Sequence, residues 1–309
     1  MRSRELWGEM LSATGIWHEP VGSMHLAYHD DELQVLEEFT AEARGDGFEC
    51  AMLSAADAER RSPHIVTTGL RGALWSPNEL VVDPREVVAK CALWLADSAG
   101  VEFQTGTLAT GWSEGVLETT GGTWRAERCF ICAGDELQVL VPDALVDVPL
   151  RVCKLQMMRS AAVDWRLGPM LAAGLTLGHY DSFRNCPTRE TVCSRLAREL
   201  PDYVRYGIHV MVSQNGRGEL TIGDSHEYGA DGTPFDKPEI DRLILEYLRG
   251  FFDLRGVDIA SRWHGVYVKH ATEPYVVLRP AADAVAAVGF GGAGMTLSFG
   301  ATEQVISSA

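Results

Sequence analysis

Residues 285–300, VAAVGFGGAGMTLSFG, decide how this chain is read. Ala284 to Val288 is a short apolar run bounded by turn residues, which predicts a buried strand. Four glycines follow, Gly289, Gly291, Gly292 and Gly294, and Met-Thr-Leu-Ser-Phe then opens a predicted helix running to the C-terminus. A strand feeding a glycine turn and a helix brings backbone N–H groups and a positive dipole end against an electron-rich ligand. Gly289, Gly291 and Gly294 satisfy G-x-G-x-x-G, but a dinucleotide fingerprint also needs a βαβ unit and an acidic residue about 20 positions on. Only fifteen residues follow Gly294. An NAD-dependent dehydrogenase is therefore excluded, and the turn needs another ligand.

Composition bounds what that ligand can be. The 309 residues suffice for two domains or one large one, with ordinary apolar (46%) and charged (23%) content. A net charge of −16 argues against nucleic acid, while leaving room for a local cationic pocket for an anionic substrate. No apolar run approaches the roughly 18 residues of a membrane span, and MRSRELWGEM has no signal-peptide core. A cytoplasmic location without a membrane partner is expected. The seven cysteines are scattered and odd in number, which suits reduced thiols. Cys129 and Cys132 form a C-x-x-C within a predicted buried strand, where positions i and i+3 face opposite ways and cannot share a metal. No metal site is read from the sequence.

Along the chain, helices are predicted over 4–13, 31–44 and 189–199. Further helices start at Ser54 (with Asp57), at Asp83-Pro84-Arg85-Glu86, where Glu86 completes a capping box, and at 238–252 under an Asp236 cap. Strands are predicted over 22–28, 69–75, 101–104 and 129–132. From Leu150 onward they recur at 151–159, 175–179, 207–213, 219–223, 262–269 and 275–278. Segments broken by Gly111, Gly115 and Gly121-Gly122 predict a three-stranded meander. The order α/β, then β-rich, then α/β again predicts an α/β fold of two interleaved domains. One would comprise 1–15, 81–147 and 284–309; the other, 16–80 and 148–283, would be α+β on a large mixed sheet.

Taken in order, these segments resemble the D-amino-acid-oxidase-like family of FAD-dependent oxidoreductases. The matches are Val82-Asp83-Pro84, Gly100-Val101-Glu-Phe, Cys129-Phe-Ile-Cys-Ala-Gly134, Gly218-Glu-Leu-Thr-Ile-Gly223, Trp263-His-Gly265 and Gly289-Phe-Gly-Gly-Ala-Gly-Met-Thr296. Cys153–Arg159, Gly223-Asp-Ser-His-Glu-Tyr-Gly229 and Trp263–His270 look like a sub-branch encoded beside phosphonate-degradation genes, which implies an aminophosphonate substrate. The family opens with a strand–GxGxxG–helix cradle for the cofactor pyrophosphate. Residue 1 falls beyond that segment, so the resemblance implies an incomplete Rossmann-type sheet and a shortened chain.

The resemblance further implies oxidation of a C–N bond in a small amine or amino-acid-like substrate. Hydride passes to flavin, the imine hydrolyses, and oxygen reoxidises the cofactor. Gly134 and the turn residues Gly289, Gly291, Gly292, Ala293, Gly294, Met295 and Thr296 would bind FAD. The binding would be non-covalent, because residues 262–270 lack the cysteine that tethers flavin in sarcosine oxidases. Catalytic candidates are Lys269, His270, His209 and Tyr267; substrate-side candidates are Trp263, His226, Lys154 and Arg159. The cations would serve a phosphonate. Strand alternation puts Tyr267 and Lys269 on one face and His264, Val268 and His270 on the other. Asp224 and Glu227 read as turn and cap residues. The rival reading is a non-catalytic or partner-dependent module of the same fold that binds a small anion.

Overall fold

A computed structural model describes residues 2–229 and 233–308. Its largest element is a nine-stranded, mostly antiparallel sheet. In spatial order it runs Glu227–Tyr228, Leu150–Ala162, Glu219–Gly223, Met211–Gln214, Met170–Ala173, Ser23–Ala27, Gly72–Ser76 and Ala51–Leu53. Ile259–His270 pairs with Leu150–Ala162 along almost its whole length, from Leu150↔His270 to Ser160↔Ile259. Helices Asp30–Gly45, Arg189–Glu199 and Pro238–Leu248 close one large core over this sheet, around Met24, Leu36, Leu171, Ile222 and Phe252.

A second, smaller sheet joins Val276–Ala281, Ala284–Val288 and Cys129–Ile131, the last pair in parallel. Its core of Ile131, Leu137, Ala286 and Val288 also takes in Val268, Leu150 and Val152. The long strand pair thus runs out of the large core and ends in the small one. That crossing carries Tyr267 and Lys269 to the boundary between the two. Helix Arg2–Thr14 docks on helix Gly294–Ser307 through Trp7 against Phe299 (4.8 Å, edge-on), Trp7 Nε1 to the Met295 carbonyl (2.9 Å) and Arg2 to Glu303 (2.7 Å).

Several segments depart from the sequence reading. Val101–Gln104 has no partner strand among the described residues and leaves Phe103 exposed. Leu175–His179 is helical. Met170–Ala173 already fills that sheet position, and Thr176 Oγ1 on the Ala173 carbonyl (2.6 Å) turns the chain out of the strand. The strand Cys129–Ile131 lies at a sheet edge, so Phe130 and Cys132 are exposed and the C-x-x-C is not buried. Lys237, not Asp236, is the N-cap of Pro238–Leu248; Asp236 instead pairs with Lys154 (3.0 Å) and His264 (2.8 Å).

Asp83 does cap Pro84–Ala99, accepting the Arg85 N–H at 3.0 Å, and Gly100 closes that helix with φ of 66°. Glu86 does not complete the box; it is drawn outward to Lys90 and Arg217. Asp83 also binds the Arg85 guanidinium (2.7 Å) and Asn215 Nδ2 (3.2 Å), tying the helix start to the turn before Glu219. Asp83→Ala should cost about 0.5–2 kcal/mol, the range for a lost cap. Asp83→Asn keeps the cap and isolates the charge. Arg85 holds the Asp83 carboxyl below its usual range. An acid depressed in the folded state stabilises it only where the unfolded chain is ionised. The gap between wild type and Asp83→Asn should therefore be full at pH 7 and shrink away as pH falls below about 4. Urea titrations at the two pH values measure it.

Candidate active site

The glycine turn is locked to the end of the long strand. The His270 N–H donates to the Gly289 carbonyl (3.0 Å), and Lys269 bridges Phe290. Two positions there require glycine. Gly289 and Gly291 have φ of 86° and 57°, and a Cβ on Gly291 would sit 3.2 Å from Lys269 Cγ. The turn runs into helix Gly294–Ser307, whose first N–H groups have no intrahelical acceptor.

Against this turn lies a cavity of about 460 Å³, walled by Phe130, Cys132, Gly134, Tyr267, Val288 and the helix face at Ala301 and Val305. Gly289, Gly291 and Gly294 line it too. Gly292, Ala293, Met295 and Thr296 belong to the same turn but not to the cavity lining. The Met295 and Thr296 carbonyls accept Trp7 Nε1 and Ser3 Oγ from the first helix.

Behind Tyr267 is a buried polar cluster. His209, His179 and His226 pack together with ring centroids 3.8–4.8 Å apart, and Tyr267 lies 6.3 Å from His226. Asp224 sits among them, with Oδ1 at 3.1 Å from His209 Nε2 and Oδ2 at 3.7 Å from His226 Nε2. Burial pushes the Asp224 carboxyl up to about 7 and holds His226 and His179 down at about 4 and about 3; His209 is also well below its usual value. Cys153 and Tyr228 lie beside Tyr267, and burial raises all three, Cys153 to about 11 and Tyr228 to about 12.

The structure therefore brings His209, His226, Tyr267 and Lys269 together and leaves four expected residues elsewhere. His270 faces away, its Nδ1 accepting the Glu273 N–H (2.9 Å). The Lys154 ammonium is occupied by the Thr233 and Phe235 carbonyls (3.0 and 2.6 Å) and by Asp236. Arg159 faces Glu219 (3.7 Å), and Trp263 lies four residues up the strand, 38% exposed. Glu227 pairs with Lys237 and is no part of the cluster.

Asp224 is the residue the sequence reading missed, along with His179. A signal for Asp224 existed: it stands two positions before His226, just beyond the predicted strand 219–223, and positions i and i+2 share a face if the strand runs on. The backbone pair Asp224 N–H to His209 carbonyl (2.8 Å) sets His209 beside them.

A sequence model of the family described as DAO, FAD dependent oxidoreductase, matches residues 1–306. The chain belongs to this family. It is an FAD-dependent oxidoreductase. Comparison with curated protein sequences finds no match.

Solved structures similar to it include L-proline dehydrogenase from P. horikoshii (TM-score 0.79, 18% identity, 98% of this chain and 76% of that one). Glycine oxidase from Geobacillus kaustophilus is likewise similar (TM-score 0.77, 21% identity, 99% and 76%). So is dithionite-reduced L-α-glycerophosphate oxidase from Mycoplasma pneumoniae with FAD bound (TM-score 0.74, 14% identity, 98% and 77%). At these identities the likeness is one of fold. The residues present suit the flavin end of FAD. Apolar walls can take a planar ring, and the glycine turn leaves its edge open to backbone N–H groups at a helix N-terminus.

Proposed function

We propose that this oxidoreductase removes hydride from the carbon next to nitrogen in a small, anionic amine or amino acid. The substrate class is an aminophosphonate, the final acceptor is oxygen, and the reaction is cytoplasmic. The two interleaved domains, 1–15 with 81–147 and 284–309, and 16–80 with 148–283, divide the work, the first holding non-covalent FAD and the second the substrate. FAD supplies the two-electron acceptor when bound. The chain's own contribution is the apolar cavity at the glycine turn, with Tyr267 standing between it and the histidine cluster.

One observation carries the reading. Among the described residues, no carboxylate lies within 4 Å of the Lys269 ammonium and no side-chain hydrogen bond occupies it, whereas Lys154 and Arg159 both face acids. Its stem packs on Gly291, so the free charge stands at the mouth of the turn. An anionic substrate group seated there would hold the amine end towards Tyr267 and His226.

The test uses the flavin-loaded enzyme under anaerobic conditions. 2-Aminoethylphosphonate should bleach the oxidised-flavin absorbance, and admitting oxygen should restore it with release of peroxide. Lys269→Met should weaken binding of the anionic amine by roughly ten- to a hundredfold, the worth of a charge-assisted contact. Turnover at saturation and binding of an uncharged amine should change much less. Equal losses for both amines would refute the role of Lys269, and no bleaching by any anionic amine would refute the substrate class.

A further inference from the structure

The histidine cluster has a geometry that amine oxidation does not call for. One ring nitrogen from each of His179, His209 and His226 lies within 4.8 Å of the other two. His226 Nδ1 is 3.1 Å from the Gly207 carbonyl. A carbonyl only accepts, so Nδ1 carries the hydrogen and Nε2 presents a lone pair. His209 is 2% exposed, and its Nδ1 has no hydrogen-bond partner among the described residues. Its Nε2 is 3.1 Å from Asp224 Oδ1, an atom equally buried and unsatisfied because the two are not aligned. A buried polar atom left without a partner costs about 1–3 kcal/mol, and here two lie in one cluster.

We propose that His179, His209 and His226 form a site for a divalent transition ion of the zinc and cobalt class, with Asp224 as the carboxylate that orients His209. Three imidazoles leave a fourth position open, and metal-bound histidines are commonly oriented by a carboxylate or a backbone carbonyl on the other ring nitrogen. The Gly207 carbonyl already stands behind His226, and Asp224 Oδ1, 3.1 Å from His209 Nε2, would take up that place for His209 as the rings draw together. Metal–nitrogen bonds of about 2.0–2.1 Å require the rings to draw together from their present spacing. His179 is the least buried of the three and has the most freedom to do so. Two cations stand near. The Arg189 guanidinium is occupied by the Leu177 and Gly178 carbonyls (2.9 and 2.6 Å), and the free Lys269 favours an anionic fourth ligand.

The site does not depend on flavin or on the substrate proposed above, so it is tested without either. Cobalt(II) chloride titrated into the metal-stripped full chain should give visible ligand-field absorption that saturates at one ion per chain and is displaced by zinc. Asp224→Asn should weaken binding by about ten- to a hundredfold, the usual effect of losing such a supporting group. His179→Gln should abolish the absorption while leaving the thermal melt in place. His179→Cys supplies a thiolate instead and should restore binding with a new sulfur-to-cobalt charge-transfer band, an outcome only a direct ligand can give. No ligand-field band in wild type, or binding unchanged by His179→Gln, would overturn the proposal.

Discussion

Arg195→Met is expected to destabilise the fold by about 3–5 kcal/mol, the range for removing one partner of a buried ion pair. Arg195 reaches from helix Arg189–Glu199 to the start of helix Asp30–Gly45. There it grips Asp31 with two bonds (2.8 and 3.0 Å) and Glu32 with a third (2.7 Å). Glu32 has only 4% of its side chain exposed and also accepts the Tyr28 N–H at 2.8 Å. Methionine fills the space but leaves two carboxylates near one another with no cation and little water. Arg195→Lys keeps a charge without the planar fork and should lose less. Adding Glu32→Gln to Arg195→Met should recover part of the loss, since the cost lies in the stranded charge. Urea titration of the four proteins orders them, and a loss below about 1 kcal/mol in Arg195→Met would mean that water already screens the triad.

How far the sequence could be read follows from how local each signal is. The Asp83 cap and its Pro84 are set within one helical turn, and the helix starts accordingly. The same holds for Arg189–Glu199, for the meander and for the glycine turn, whose residues must satisfy their own backbone geometry whatever packs above them. Leu175–His179 failed because its alternation describes side chains only. The sheet position it would occupy was already taken by Met170–Ala173, paired on both edges.

The site was legible in pieces. Alternation correctly set Tyr267 and Lys269 on one face and Val268 and His270 on the other. Which cations remain free was not legible, because it depends on where carboxylates from distant segments arrive. Asp236 claims Lys154 across a long loop, and Glu219 faces Arg159 across two strands. The histidine cluster is assembled from three separate segments, and nothing in the spacing of residues 179, 209 and 226 announces it.

Gly294→Val should cut FAD affinity by roughly ten- to a hundredfold, about 1.4–2.8 kcal/mol, without lowering stability. Gly294 is the first residue of the C-terminal helix, with φ of −52° and ψ of −52°, a backbone any residue can adopt. A Cβ there would meet only the Phe290 Cβ, at an ordinary 3.7 Å. Nothing at this first helical position requires glycine, so Gly294→Ala should melt at the same temperature or slightly higher. The added atoms face a wall of the cavity that the flavin ring would occupy, so the two variants should lose affinity in order of bulk. Gly291→Ala gives the contrasting pattern. Its positive φ and the close Lys269 stem make any side chain strain the turn, so stability and flavin binding should fall together. Titrating the flavin-free protein with FAD, alongside thermal melts of the same samples, separates the two behaviours. A Gly294→Val protein that binds FAD as tightly as wild type would show that the flavin does not sit against this turn.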